Sequence, residues 1–306
     1  MKLARILGIA IALLLFFDGY SFGRPAGKGS GTKPTEIFQG DIVELKIPGI
    51  GLTTLEGRMG KATIPFFSSG SGHYTAVVGA DLEAKPGLAT VMIKGTTTTG
   101  IQRDSQMTLL IKPKSFKKES FSVGAEFDQL SPEVLERIRK DQDEFSRVFM
   151  TSAPDRLWEG PFLLPISSEV SSPFGYRRVI NGAPRAPHTG VDLRAALGSE
   201  VVAANHGRVV LLGDFFFSGH SLVLDHGAGL YTMYFHLSEF KVEMGDTVRK
   251  GNVIGLSGMT GRVTGPHLHW GARINGARID PFELVNKLGN SQRRLDNDVT
   301  VNGVKR

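Results

Sequence analysis

Gly265-Pro266-His267-Leu268-His269-Trp270-Gly271-Ala272-Arg273-Ile274 is the stretch on which the reading of this chain turns. Leu268, Trp270, Ala272 and Ile274 alternate with His267, His269, Gly271 and Arg273, and a period of two marks a strand buried on one face. Both histidines then stand on the open face, roughly 6–7 Å apart along the backbone. On a helix, residues two apart diverge and could not share a target. One of the pair can bind a metal while the other leans over a water on that metal, and spacing does not say which does which.

Two further stretches complete the offer. His188-Thr-Gly-Val-Asp192, Tyr234-Phe-His236 and His267-Leu-His269 together hold one aspartate and four of the chain's eight histidines. Two imidazoles and a carboxylate, with a fourth position left to water, make the ligand set of a hydrolytic zinc site. Regular strand would hold His188 and Asp192 about 13 Å apart, so a bend is needed, and Gly190 between them has backbone angles closed to other residues. The expectation is His188 at a loop end and Asp192 at the start of a strand, Val191 to Arg194. Alternation also appears in Tyr231-Thr-Met-Tyr-Phe-His-Leu237, predicting Tyr231, Met233, Phe235 and Leu237 on one face and Thr232, Tyr234 and His236 on the groove side. The chain has no cysteine, which excludes a thiolate nucleophile, a Cys-ligated metal and any disulfide.

The surrounding text is long and ordered: Ser172-Pro-Phe-Gly-Tyr-Arg177, Asn181-Gly182, Pro187-His-Thr-Gly-Val-Asp192, His226-Gly227, Tyr234-Phe-His-Leu237, Gly245-Asp-Thr-Val-Arg-Lys-Gly251 and Thr260-Gly-Arg-Val-Thr-Gly-Pro-His-Leu-His269. On these residues the chain from about Leu157 to Leu284 resembles the catalytic domain of the lysostaphin/LytM-type zinc metallopeptidases, which cut peptide cross-bridges in bacterial cell walls. The resemblance implies that His188, Asp192 and His269 hold one Zn2+ ion and that His236 and His267 are the catalytic pair. His267 would be the general base, and His236 would steady the oxyanion or share the proton transfer, roles that could be exchanged. It also implies peptidoglycan as substrate. Bonds to D-amino acids are favoured over glycine bridges, because the loop Asn181-Gly-Ala-Pro-Arg-Ala-Pro187 lacks the tyrosine that glycine-cutting relatives tend to carry there. Two other readings compete: a non-catalytic wall-binding regulator, and a peptidase for secreted proteins. His226 is expected to serve a structural hydrogen-bonding role, and His73, His206 and His220 to be ordinary surface or core residues.

The rest of the chain supplies context. Lys2 and Arg5 precede the apolar run Ile6 to Phe17, followed by small residues at Ser21 and Gly23, which reads as a secretory signal over residues 1–23. The run is short for a span of around 20 residues, so a retained anchor is the alternative. Export to the periplasm, cell envelope or exterior follows. Residues 24–34 are Gly-, Pro- and Lys-rich and read as a flexible leader. Strand-like runs at Ile42–Ile47, Tyr74–Val78, Thr90–Lys94 and Met107–Lys112, parted by turn signals, predict an immunoglobulin-like β-sandwich over 35–113. It would serve as spacer, docking surface or a shade over the groove.

Residues 114–156 read as a linker with a helix over 132–149, capped by Ser131 with Pro132 at its first position. The peptidase-like domain spans 157–285 and a solvated tail 286–306. The expected fold is therefore mainly β, an N-terminal sandwich and a C-terminal antiparallel-β domain joined by a short helical linker. A net charge of +6 favours approach to an anionic wall or membrane surface. Basic residues are scattered without aromatic interleaving, so nucleic-acid binding is not supported.

Overall fold

The computed structural model describes residues 33–288 apart from 50, 69–71 and 122–129. The expected signal or anchor, the leader up to residue 32 and the tail from 289 lie outside the described residues.

Two facing sheets form the N-terminal half. The strands Thr35–Phe38, Gln102–Lys112, Gly87–Thr97, Leu52–Met59 and Ala62–Pro65 line up in that order, the first pair parallel. Opposite them stand Ile42–Pro48, His73–Gly79 and Phe67–Ser68. Ile37, Leu45, Ile47, Ile64, Val78, Val91, Ile93 and Leu109 fill the space between. All four runs expected from sequence are strands. Leu52–Met59 was not anticipated because its inward positions are Leu55 and Gly57, so the period of two loses its second apolar mark.

The C-terminal half is a ten-stranded, largely antiparallel sheet. Its central order is Val170–Ser172, Gly190–Arg194, His267–Ile274, Leu230–Phe240, Gly219–Asp225 and Gly207–Phe215. One face closes over Leu193, Leu222, Leu224, Tyr234, Leu237, Leu268, Trp270 and Ile274, each essentially without exposure. The other face is divided. The helix Pro132–Val148, capped by the Ser131 side chain as expected, lays Phe145, Val148 and Phe149 over Leu211, Phe215, Val223, Tyr231 and Met233. The histidines occupy the same face next to it.

Neither half is closed by itself. Ile42, Val77 and Leu82 of the sandwich belong to the main core of the C-terminal sheet. Asn275 Nδ2 donates to Val77 O at 2.9 Å, Arg278 forks onto Asp81 at 2.6 and 2.9 Å, and Lys287 Nζ donates to Ile42 O at 2.9 Å. Gly79 sits so close to the seam that a β-carbon there would stand 2.6 Å from Ile274 Cγ2 and 2.9 Å from Ile279 Cγ2. The segment after the sandwich also contributes structure, since Lys118–Phe121 pairs in parallel with Arg177–Ile180. No helix among the described residues is long and apolar enough to cross a membrane.

Two outcomes are expected. Gly79→Val should cost about 1–3 kcal/mol by overpacking, and both halves should still unfold together in one denaturant transition; separate transitions would break the shared-core account. Burial pushes the His226 imidazole down to about 4 from 6.5. An unfolded chain therefore takes up this proton at higher pH than the folded one, so the contribution to stability is intact above about pH 6.5 and is lost as pH falls toward 4, by about 3 kcal/mol. Urea unfolding at pH 7 and pH 4.5 should show that loss in the natural chain and a smaller one in His226→Gln.

Candidate metal centre

His188 lies in the loop that leads into the strand Gly190–Arg194, as expected. Its backbone is clamped by the Ser172-Pro-Phe-Gly turn: Gly175 N donates to His188 O at 2.8 Å and His188 N donates to Tyr176 O at 3.0 Å. Its Nδ1 stands 2.9 Å from Pro173 O. A carbonyl can only accept, so in the neutral ring the hydrogen sits on Nδ1 and Nε2 offers a lone pair. That nitrogen faces Asp192 Oδ1 and His269 Nδ1, each at 3.0 Å.

Asp192 and His269 meet by register. The two residues are Cα partners across antiparallel strands, and Asp192 Oδ1 stands 2.9 Å from His269 Nδ1. One nitrogen from each imidazole and one carboxylate oxygen thus converge. Three ligand atoms about 2.0–2.2 Å from one centre in a tetrahedral arrangement would be about 3.3–3.5 Å apart. The observed separations are slightly shorter than that. Two neutral rings and one carboxylate also carry one negative charge in a buried place, which a divalent cation would compensate. Burial works to raise the Asp192 carboxyl, but with no metal between them a proton on the facing nitrogen of His188 or His269 outweighs it, and the carboxyl is held far below its usual range. Burial pushes the His269 imidazole down, which keeps it neutral and able to offer a lone pair. The donor set therefore fits one metal ion of the zinc type.

Glycine at position 190 serves a different purpose from the one expected. Gly190 is not among the positive-φ residues, so no unusual backbone angle is needed. A β-carbon there would stand 2.5 Å from Trp270 O and 2.6 Å from His269 Nε2. The glycine makes room for the ligand ring.

The second pair of histidines lies beside the three donors. His267 Nδ1 donates to Gly265 O at 2.8 Å, and its Nε2 is 3.8 Å from Asp192 Oδ1. His236 Nδ1 donates to Thr260 O at 2.9 Å, and the two rings are 4.8 Å apart between centroids. By the same reasoning as for His188, both rings present Nε2 as a lone pair. Burial and then the neighbouring His269 push the His236 imidazole down to about 3.

His236 reaches this face by a bulge, which corrects the expected alternation. Thr232 and Tyr234 point the other way, into the main core, where the Tyr234 hydroxyl accepts from Ala204 N at 3.0 Å and pairs with Thr232 Oγ1 at 2.9 Å. Between Tyr234 and Leu237 the strand carries one residue more than its partner Gly219–Asp225. His236 takes φ 64°, and its N–H bonds to Ser218 O at 2.9 Å. An extra residue re-aims the chain, so that Phe235 and His236 both serve the site face while Leu237 returns to the core.

Several contributors were not foreseen. Phe235 stacks on His269, centroids 5.3 Å apart and planes 5° apart, and is itself met by Phe145 of the helix at 5.6 Å. The helix expected as a linker thus backs a candidate metal ligand. Pro173, Thr260 and Gly265 act through backbone carbonyls, for which side-chain identity gives no signal. Arg178 places Nη2 3.8 Å from Asp192 Oδ2, and only the doubled basic pair Arg177-Arg178 could have hinted at it. His226 is structural as expected: wholly buried, Nδ1 donates to His206 O at 2.7 Å and Nε2 accepts from Thr232 Oγ1 at 2.7 Å. His206 and His220 lie outside the donor cluster, as anticipated.

The description "Peptidase family M23" matches residues 186–281. Over 120 residues the chain is 42% identical to the DD-carboxypeptidase/endopeptidase Mpg of Neisseria meningitidis, covering 39% of this chain and 28% of that protein. Over 145 residues it is 36% identical to the peptidoglycan DD-endopeptidase ShyA of Vibrio cholerae, covering 47% and 31% respectively. The chain spans under a third of the length of these two relatives. A crystal structure described as a peptidase M23 from Pseudomonas aeruginosa superposes with a TM-score of 0.65 at 28% identity, covering 83% of this chain and 96% of that one. A share of 83% reaches well beyond the matched residues 186–281. Residues 186–281, which hold His188, Asp192, His236, His267 and His269, are a domain of peptidase family M23.

Proposed function

We propose that this chain is an exported zinc endopeptidase that hydrolyses peptide cross-links of bacterial peptidoglycan at bonds between D-residues. One observation carries the reading: three mutually crowded donor atoms on His188, Asp192 and His269 lie beside two imidazoles that both present Nε2. The names of the Neisseria and Vibrio relatives support the substrate class. The basic start and apolar run of the first 17 residues support export. A regulator that only binds wall would have no use for an intact set of five.

His188, Asp192 and His269 would hold the ion. When bound, zinc supplies the positive charge that acidifies a water toward about pH 7 and polarises the scissile carbonyl. His267 Nε2, near the open edge of the cluster, takes the proton of the attacking water and returns it to the leaving amine. His236, pushed down to about 3 by burial and then by the neighbouring His269, stays neutral and offers a lone pair, so its ring accepts a hydrogen bond from the reacting groups. A donor role toward the oxyanion requires it to be protonated first. Thr260 O and Gly265 O hold both rings in the tautomer these tasks need.

Digestion of isolated wall, followed by mass analysis of the muropeptides, tests the reading directly. His267→Ala should keep one zinc per chain yet lose about 10²–10⁴ in turnover, whereas Asp192→Ala should lose the metal itself. A zinc-loaded natural chain that releases no cross-linked product from wall would refute the proposal. Gly190→Ala should push the His269 ring aside and weaken zinc binding about 10–100-fold with little change in far-UV circular dichroism; unchanged affinity would count against the role given to that glycine.

A further inference from the structure

The two oxygens of Asp192 face different partners. Oδ1 faces His188, His269 and, at 3.8 Å, His267 Nε2. Oδ2 faces the Arg178 guanidinium, also at 3.8 Å. That separation is too long for a hydrogen bond. The Arg178 side chain makes no other hydrogen bond or ion pair among the described residues, although it is only 35% exposed. A guanidinium has five N–H donors in a planar fork suited to a carboxylate, and here the fork is left unspent beside the donor cluster.

Its neighbours are placed differently. Arg177, one residue earlier and therefore on the opposite face of the strand, is committed to Glu83 at 3.2 Å and lies over the Phe116 ring. The strand Arg177–Ile180 that carries both is held on each side, by Lys118–Phe121 and by Ala183–Pro184. Arg178 thus stands on a strand held from both sides next to the donor cluster, outside the matched residues 186–281.

A peptide entering this site would bring its scissile amide between the donor cluster and His267. A carboxylate on the carbon bearing the leaving nitrogen, where it falls on the Asp192 Oδ2 flank of the cluster, would meet the Arg178 guanidinium standing on that flank. We propose that Arg178 is a specificity-determining residue which grips a free α-carboxylate on the residue that supplies the leaving amine. The preferred bond is one whose nitrogen-side residue keeps that carboxylate, as a carboxy-terminal D-residue or a D-centre joined to a cross-link does. The interior of a glycine bridge offers no such group. This rests on the hydrolase reading above and names the substrate chemistry that the site selects.

The test uses the zinc-loaded full chain and two synthetic peptides that differ only at this group, a free carboxylate in one and a carboxamide in the other. A hydrogen-bonded charge is worth about a factor of 10 to 10², so the natural chain should prefer the carboxylate by that ratio in kcat/KM. Arg178→Met should bring the ratio close to one with zinc content unchanged, and Arg178→Lys should restore part of it. A ratio that survives in Arg178→Met, or zinc lost from that variant, would mean that the arginine only steadies Asp192. A natural chain that digests wall yet shows no preference would overturn the inference while leaving the hydrolase reading standing. A chain that digests neither wall nor peptide would sink both.

Discussion

The pairing of Asp192 with His269 across two antiparallel strands is the constraint from which the site follows. A slip of one residue would turn every side chain of a strand to the opposite face, sending the carboxylate into the core. The same two strands bury Val191, Leu193, Leu268 and Trp270 on their other side, none more than 1% exposed. Fully burying side chains of this kind is worth about 1.5–3 kcal/mol each, so packing on one face fixes the register and thereby the donors on the other. His188, brought in from a loop, adds the third donor, and the negative charge so concentrated is one that a bound cation would balance. Stability and chemistry use the same pairing.

A second layer sets which nitrogen each ring presents. Pro173, Thr260 and Gly265 each turn a carbonyl toward an Nδ1. These carbonyls lie in turns and loops outside the strands that carry the histidines, which explains why the recognisable text around the site is rich in glycine and proline. Such turns present a carbonyl in one direction. The orientation of the imidazoles therefore depends on backbone shape in segments whose own side chains do no chemistry.

This layering explains what could be read from the sequence. The alternation from His267 to Ile274 was legible because a two-residue period is a local property and the core face is apolar at each inward step. The residue types of the donor set and the helix cap at Ser131 were legible for the same reason. The bulge at His236 was not, since it depends on how many residues the facing strand Gly219–Asp225 supplies, and Tyr-Phe-His-Leu contains no glycine to announce a positive φ. The purpose of Gly190 was misread because a space requirement imposed by His269 is set by a strand 77 or more positions away along the chain. Arg178 escaped notice because its significance lies in the distance to one carboxylate oxygen.

The stretch matched to the family, residues 186–281, contains the five candidate site residues but not all that holds them. Pro173 precedes it, Phe145 presses on the ring that stacks against His269, and Gly79 sits against Ile274 and Ile279. Cores are close-packed and respond poorly to gradual deformation, so a displacement at any of these supports would be felt at the three candidate ligands. The sandwich and the helix are thus more than a tether and a spacer. Ile274, in direct contact with the sandwich, ends the strand on which His267 and His269 stand, and the apolar seam between the halves is continuous with the core that sets the register of Asp192.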